Sequence, residues 1–185
     1  MNPRRLAIEV FGYIIVAFVI TLPIRWFIAV PFVVTGTSMS PTFEAGDYLI
    51  VDKLSYRSNN PQRGDIVVFR YPLDPSIYYI KRIVGLPTET VSIVNGVATL
   101  IESDGTKHAL AGPKSTSVAN ANESLTTKLA ADEYYVLGDN RDTSSDSRDW
   151  GPLQRKYIVG GALMRLLPLR EIGLLPGASA STTVQ

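Results

Sequence analysis

The stretch Tyr78-Tyr79-Ile80-Lys81-Arg82-Ile83-Val84-Gly85 decides how the chain is read. Aromatic and β-branched residues dominate it, as they do strands, and Gly85 punctuates its end. As a strand it places Tyr79, Lys81 and Ile83 on one face and Ile80, Arg82 and Val84 on the other. Lys81 then has apolar neighbours on its own face, whereas Arg82 can take solvent or a carboxylate. The plain alternative is an edge lysine whose stem lies on apolar surface while its ammonium stays in water.

Working outward, short β-branched and aromatic runs recur at residues 32–34, 48–51, 66–69, 91–94, 97–101, 134–137 and 162–166. Gly, Pro, Asn and Asp separate them, and Asn95-Gly96 is a strong two-residue hairpin signal. The expected fold class is therefore mainly β. Residues 103–132 are polar and weakly periodic, and we expect an inserted excursion there, inside a β-rich domain over 31–170 with a tail at 171–185. With 185 residues the chain has room for one principal core besides an anchor.

Charge and composition exclude several classes of function. The formal net charge is +1 and no Lys/Arg stripe interleaves with aromatics, which argues against a nucleic-acid partner. The absence of cysteine removes disulfides, thiolate nucleophiles and Cys-ligated metals.

The N-terminus differs in kind. From Leu6 to Val30 the chain is apolar except at Glu9 and Arg25, and a helix crossing the hydrocarbon needs about 20 residues. Phe11 to Ile20 is apolar nearly all round, unlike an amphipathic core helix. Pro31-Phe32-Val33-Val34 offers no small-x-small site for a cleaved leader. Residues 1–30 therefore read as a cytoplasmic tip and a single transmembrane helix seated in a lipid bilayer. Arg4 and Arg5 precede the apolar run, Trp26 suits the far interface, and the positive-inside rule places the β domain on the outer side.

Chemistry narrows to few residues. A serine hydroxyl needs a base to accept its proton, and the single histidine, His108, lies in the turn-like Asp104-Gly105-Thr106-Lys107-His108. A lysine serves instead if burial disfavours its ammonium. Moving it from about 10.4 to about 7 requires about 4 kcal/mol, within what an apolar site supplies. Ser38, in Gly36-Thr37-Ser38-Met39-Ser40-Pro41-Thr42, is the candidate nucleophile and Lys81 the candidate base. Their Oγ and Nζ should lie within about 2.6 to 3.2 Å of each other.

Four segments in order, 38–42, 64–69, 79–85 and 138–148, together with the anchor, resemble the motif boxes of type I signal peptidases. These are membrane-bound Ser-Lys endopeptidases that remove signal peptides from exported preproteins, and the resemblance runs from the anchor to about Leu167. It implies Ser38 as nucleophile and Lys81 as general base. Ser144 matches a serine that hydrogen-bonds the lysine. Asp146 and Arg148 match an ion pair that holds the active-site loop, with Asp139 in the same supporting network. Phe32, Val34, Met39 and Ile80 match residues lining shallow apolar substrate pockets that select alanine-sized side chains, and the substrate would bind as an added strand. The resemblance also implies exported preproteins as partners, no metal or cofactor, and a location in a bacterial-type cytoplasmic membrane.

Alternatives remain at this stage. Asp142, Ser144 and Asp146 alternate like calcium ligands, but the loop lacks the Gly and Glu such a loop requires. Gly36 stands where many relatives carry an oxyanion-stabilising serine, which leaves the Ser38 backbone N–H as donor. A repressor-type self-cleaving Ser-Lys protease would carry a DNA-binding module in place of the anchor. The non-enzymatic alternative is a membrane-tethered β domain that binds partner proteins.

Overall fold

The computed structural model describes residues 3–23, 29–94, 97–101, 104–110 and 125–174. One helix, α1 (Pro3–Pro23), precedes the strands. Its described apolar side chains, among them Phe11, Tyr13, Phe18 and Val19, are exposed. Among the described residues no helix is long and apolar enough to cross a membrane, so the crossing expected from the sequence does not stand on the fold. Arg25 and Trp26 lie outside the described residues.

Among the described residues the strands form two antiparallel sheets. The larger has the order β1 (Ala29–Val33), β2 (Tyr48–Asp52), β11 (Ile158–Leu167), β3 (Ile66–Tyr71), β4 (Asp74–Gly85), β9 (Glu133–Leu137) and β10 (Leu153–Gln154), with β12 (Gly173–Leu174) on β11. The smaller has the order β7 (Lys107–Ala109), β6 (Val97–Ile101), β5 (Thr90–Val94) and β8 (Leu125–Lys128). Two short helices, α2 (Ser55–Ser58) and α3 (Ser147–Trp150), complete the elements used below. Every strand expected between 32 and 166 is present, with shifted ends. The Asn95-Gly96 turn lies outside the described residues, although Val94 pairs with Val97 across it.

Within residues 103–132 the described parts include β7 and β8, two strands the sequence did not mark, which flank the smaller sheet. Both are edge strands. Their side chains are nearly all exposed, and backbone pairing to β6 and β5 holds them, so no apolar alternation marks them in the sequence.

The centre of the larger sheet is buried on both faces. Val67, Phe69, Ile83, Tyr134 and Val136 pack into one core with Tyr79, while Tyr135, Leu137 and Val84 pack with Val91, Ile93 and Ala98 of the smaller sheet. A third core gathers Val34, Met39, Phe43, Leu49, Ile66 and Ala162 against Ile80. Tyr79 and Ile83 thus share a core and Ile80 belongs to another, as the strand alternation requires. Register opposes Lys81 to Val67, which holds the lysine at the middle of the sheet.

Between Ile158 and Gly160 the pairing of β11 with β3 shifts register. A Cβ on Gly160 would meet the Asp52 carbonyl oxygen at 2.2 Å and Val51 Cγ1 at 2.9 Å. Backbone cannot yield as a flexible side chain does, so Gly160→Ala should destabilise by about 1 to 3 kcal/mol, the range for overpacking. Chemical denaturation of the two proteins in detergent checks this, and equal midpoints would contradict the close approach.

Candidate active site

Ser38 lies in the loop between β1 and β2, and that loop is tied down on both sides. Val34 N–H donates to Asp47 O and Gly46 N–H to Val34 O, each at 2.9 Å, which closes its base. Phe43, fully buried, pins its far side in the third core. Asn140 N–H donates to Ser38 O at 3.0 Å and joins the candidate nucleophile's backbone to the loop after β9. Gly36 has φ of +84°, a left-handed conformation in which a side chain is strained. Glycine therefore suits the backbone at this position.

A hydrogen bond of 2.7 Å joins Lys81 Nζ and Ser38 Oγ, inside the range expected from the sequence. Lys81 is 3% exposed, and its Nζ sits 5.2 Å from the centroid of the Tyr79 ring. Burial lowers its pKa from 10.5 to about 8; Asp146 opposes this by attraction and Arg148 adds to it by repulsion. Keeping this amine out of water costs the ammonium form about 3 kcal/mol. An amine so placed can remove the hydroxyl proton of Ser38 as the pH approaches 8.

The loop at 138–148 is built around Asp146, which is fully buried. Its carboxylate accepts from Gly138 N–H at 3.0 Å and from Arg148 Nε and Nη2 at 2.8 and 2.9 Å. It also caps α3, and Asp149 returns a bond to the Asp146 backbone. Arg148 further donates to Arg141 O at 2.6 Å and Ser144 O at 3.3 Å, so one bidentate pair fixes the loop's path. His108, by contrast, lies exposed on β7 in the smaller sheet.

Three expected placements change. Ser144 Oγ is buried without a hydrogen-bond partner among the described residues, so the bond expected to Lys81 is not made here. The side chain lies instead over Gly138, whose hypothetical Cβ would fall 2.2 Å from Ser144 Oγ. Met39 is 1% exposed and packs with Phe43 and Leu49 in the third core, beneath the cleft and not on its wall. Asp139 takes Arg82 as its partner, with Nε and Nη2 at 2.8 and 2.6 Å, and accepts from Thr42 Oγ1 at 2.5 Å. It thereby braces the Ser38 loop against β4 and not the Asp146–Arg148 pair.

Beside Ser38 and Lys81 runs a cleft of about 410 Å³. Phe32, Val34 and Ile80 line it as expected, and Ile77, Thr143 and Ser145 line it without having been singled out. Ile77 belongs to the exposed first half of β4, where no burial pattern marks it. Thr143 and Ser145 reach the cleft only because the Asp146–Arg148 pair folds their loop back. Arg82 was legible only as a strand residue able to meet a carboxylate.

Removing Asp139 would leave the Arg82 guanidinium, 8% exposed, without its carboxylate. We expect Asp139→Ala to lose about 3 to 5 kcal/mol in denaturant unfolding, and Arg82→Met with Asp139→Leu to recover part of it. Wild-type stability in the single variant would refute the brace.

The model of the family described as "Signal peptidase, peptidase S26" matches residues 7–167. The chain is similar to signal peptidase I of Leptolyngbya laminosa, at 38% identity over 85% of this chain and 78% of the other. It is similar to probable signal peptidase I-1 of Synechocystis sp., at 35% identity over 94% of this chain and 89% of the other. The crystal structure of a signal peptidase I from Enterococcus faecalis, 26% identical, superposes on 56% of this chain and 97% of its own with a TM-score of 0.43.

Proposed function

Because the chain belongs to the signal peptidase family, peptidase S26, and is a peptidase by that membership, we propose that it removes signal peptides from exported preproteins with Ser38 as nucleophile and Lys81 as general base. The observation that carries this reading is the 2.7 Å contact between the two side chains, with the amine buried.

The steps follow from that contact. Neutral Lys81 Nζ takes the Ser38 hydroxyl proton as Oγ attacks the carbonyl carbon before the cut, and the carbonyl oxygen becomes an oxyanion. The Ser38 backbone N–H is the donor proposed for that charge. The resulting ammonium of Lys81 gives its proton to the departing amine as the C–N bond breaks. Lys81 Nζ then takes a proton from water, whose oxygen attacks the acyl carbon, and the proton returns to Ser38 Oγ as the ester breaks.

The lining of the cleft supports the substrate reading. Phe32, Val34 and Ile80 form apolar walls beside the nucleophile, and β1 and β4 both present chain there for a peptide to lie along. Small side chains next to the cut fit such walls better than large ones. Ser144 is assigned as a positioning residue that reaches Lys81 once its buried hydroxyl turns from Gly138.

We further propose that the chain is membrane-anchored through its N-terminus, with the β domain on the outer side of a bacterial-type cytoplasmic membrane. Supporting this are the exposed apolar side chains of α1 and the apolar sequence that continues from it to Val30. Water disfavours such a surface, whereas hydrocarbon does not. An anchored enzyme meets its substrate in the plane of the membrane that holds the signal peptide.

In detergent, with a preprotein carrying a small-x-small site, Lys81→Ala should lower kcat about 10²- to 10⁴-fold, the range for a lost general base. Ser38→Ala should abolish acyl-enzyme formation, and turnover surviving in both variants would end the proposal. The pH profile has a defined sign. Below about pH 8 Lys81 carries the proton and cannot accept another, so kcat/KM should rise through about pH 8 to a plateau. A flat profile from pH 6 to 9 would contradict that assignment. For the anchor, alkaline carbonate should leave the full chain in the membrane pellet, and release into the supernatant would count against it.

A further inference from the structure

On the far side of the Phe32–Tyr78 ring pair from the catalytic cleft lies a second cavity, of about 620 Å³. The two cavities share those two residues, whose ring centroids are 5.3 Å apart. Among the described residues five basic side chains line the second one, Lys53, Arg57, Arg70, Arg155 and Lys156, and no carboxylate does. They come from separate parts of the fold: the end of β2, α2, β3 and the turn before β11. In a chain of net charge +1, this is a local concentration of positive charge.

Arg70, Arg155 and Lys156 have uncharged partners. Arg155 donates to the carbonyls of Tyr56 and Asn59, and Arg70 donates to Pro75 O at 3.0 Å and lies over the Tyr78 ring. Lys156 lies over the Tyr157 ring. The nearby carboxylates Asp52 and Asp65 accept from Ser55 N–H, and from Tyr56 Oη–H and Gln62 N–H. Cationic side chains converging on one cavity make it a favourable place for an anion.

We propose that this cavity binds the phosphate of an anionic membrane lipid headgroup. The inference rests on the anchoring proposed above, because position selects a lipid over free phosphate. Val30 and Phe32 of β1 line the cavity, and β1 is the first strand after α1. Six residue steps separate Pro23 from Ala29, which caps the distance from the helix end to the strand at about 21 Å. A cationic cavity tethered so close to a bilayer meets headgroups at high local concentration. Arginine suits phosphate because its planar fork donates twice. The Phe32–Tyr78 pair then stands between a headgroup on one side and the scissile peptide on the other, so that lipid occupancy would set the height of the catalytic cleft above the membrane.

The test is titration calorimetry on the full chain in neutral detergent with three probes: dihexanoyl phosphatidylglycerol, dihexanoyl phosphatidylcholine and inorganic phosphate. Phosphatidylglycerol should bind saturably and about tenfold more tightly than either of the others. Arg57→Gln with Lys156→Gln, both exposed positions, should weaken it about 25-fold, at about fivefold for each basic charge removed. If that pair does not fold, Arg70→Gln on β3 carries the same fivefold expectation. Inorganic phosphate binding as tightly as the lipid would make this a free-anion site and overturn the proposal. So would phosphatidylglycerol affinity that the variants leave unchanged. Flotation of the same protein on phosphatidylcholine vesicles reads the anchor separately. Flotation without a preference for phosphatidylglycerol overturns the cavity and leaves the anchor, whereas failure to float removes the lipid as the natural source whatever the titration gives.

Discussion

A lysine amine held out of water beside a serine hydroxyl is the constraint on which the rest of this structure turns. Burial at 3% exposure is what brings the pKa of Lys81 down to about 8, and without it the amine would be protonated and useless as a base. The cost is met by the position of Lys81 in the middle of the larger sheet, opposite Val67 and between Tyr79 and Ile83. Pairing to β3 at Lys81 and to β9 from Arg82 onward fixes the strand and with it the direction of the side chain. The 2.7 Å contact with Ser38 follows from a loop closed at its base by Val34 with Gly46 and Asp47 and tied to Asn140 at Ser38 itself.

Two ion pairs, one buried and one half-buried, hold the surroundings, with separate duties. Asp146 with Arg148 shapes the loop that carries Thr143 and Ser145 to the cleft. Asp139 with Arg82 braces the Ser38 loop against β4 through Thr42. Buried pairs contribute less to net stability than their Coulomb energy suggests, because desolvation opposes it. Here their value lies in geometry, since each fixes an irregular segment that no sheet pairing would hold.

Much of this was legible in the sequence where a residue's role follows from local pattern. Period-2 alternation over 78–84 separated Tyr79, Lys81 and Ile83 from Ile80 and Val84, and they pack accordingly. The absence of cysteine and the turn-like setting of His108 left a serine and a lysine as the reactive pair. What stayed hidden depends on tertiary pairing. The edge strands at Lys107–Ala109 and Leu125–Lys128 show no apolar period because their side chains face solvent. Met39 sits one residue from the nucleophile, yet the loop turns it into the core. Asp139 shares a motif with the Asp146–Arg148 pair, and only the fold gives it a different arginine, Arg82. The basic residues around the second cavity lie between positions 53 and 156, too scattered to be seen as a cluster until β2, β3 and β11 come together.

The most direct test of the central claim is nitrogen-15 NMR of the Lys81 side chain, assigned by comparison with Lys81→Met, as a function of pH in the full chain. The account predicts a titration midpoint near 8. A midpoint near the ordinary value of 10.5 would mean that the amine is solvated and charged at neutral pH, and it would contradict the assignment of Lys81 as the base.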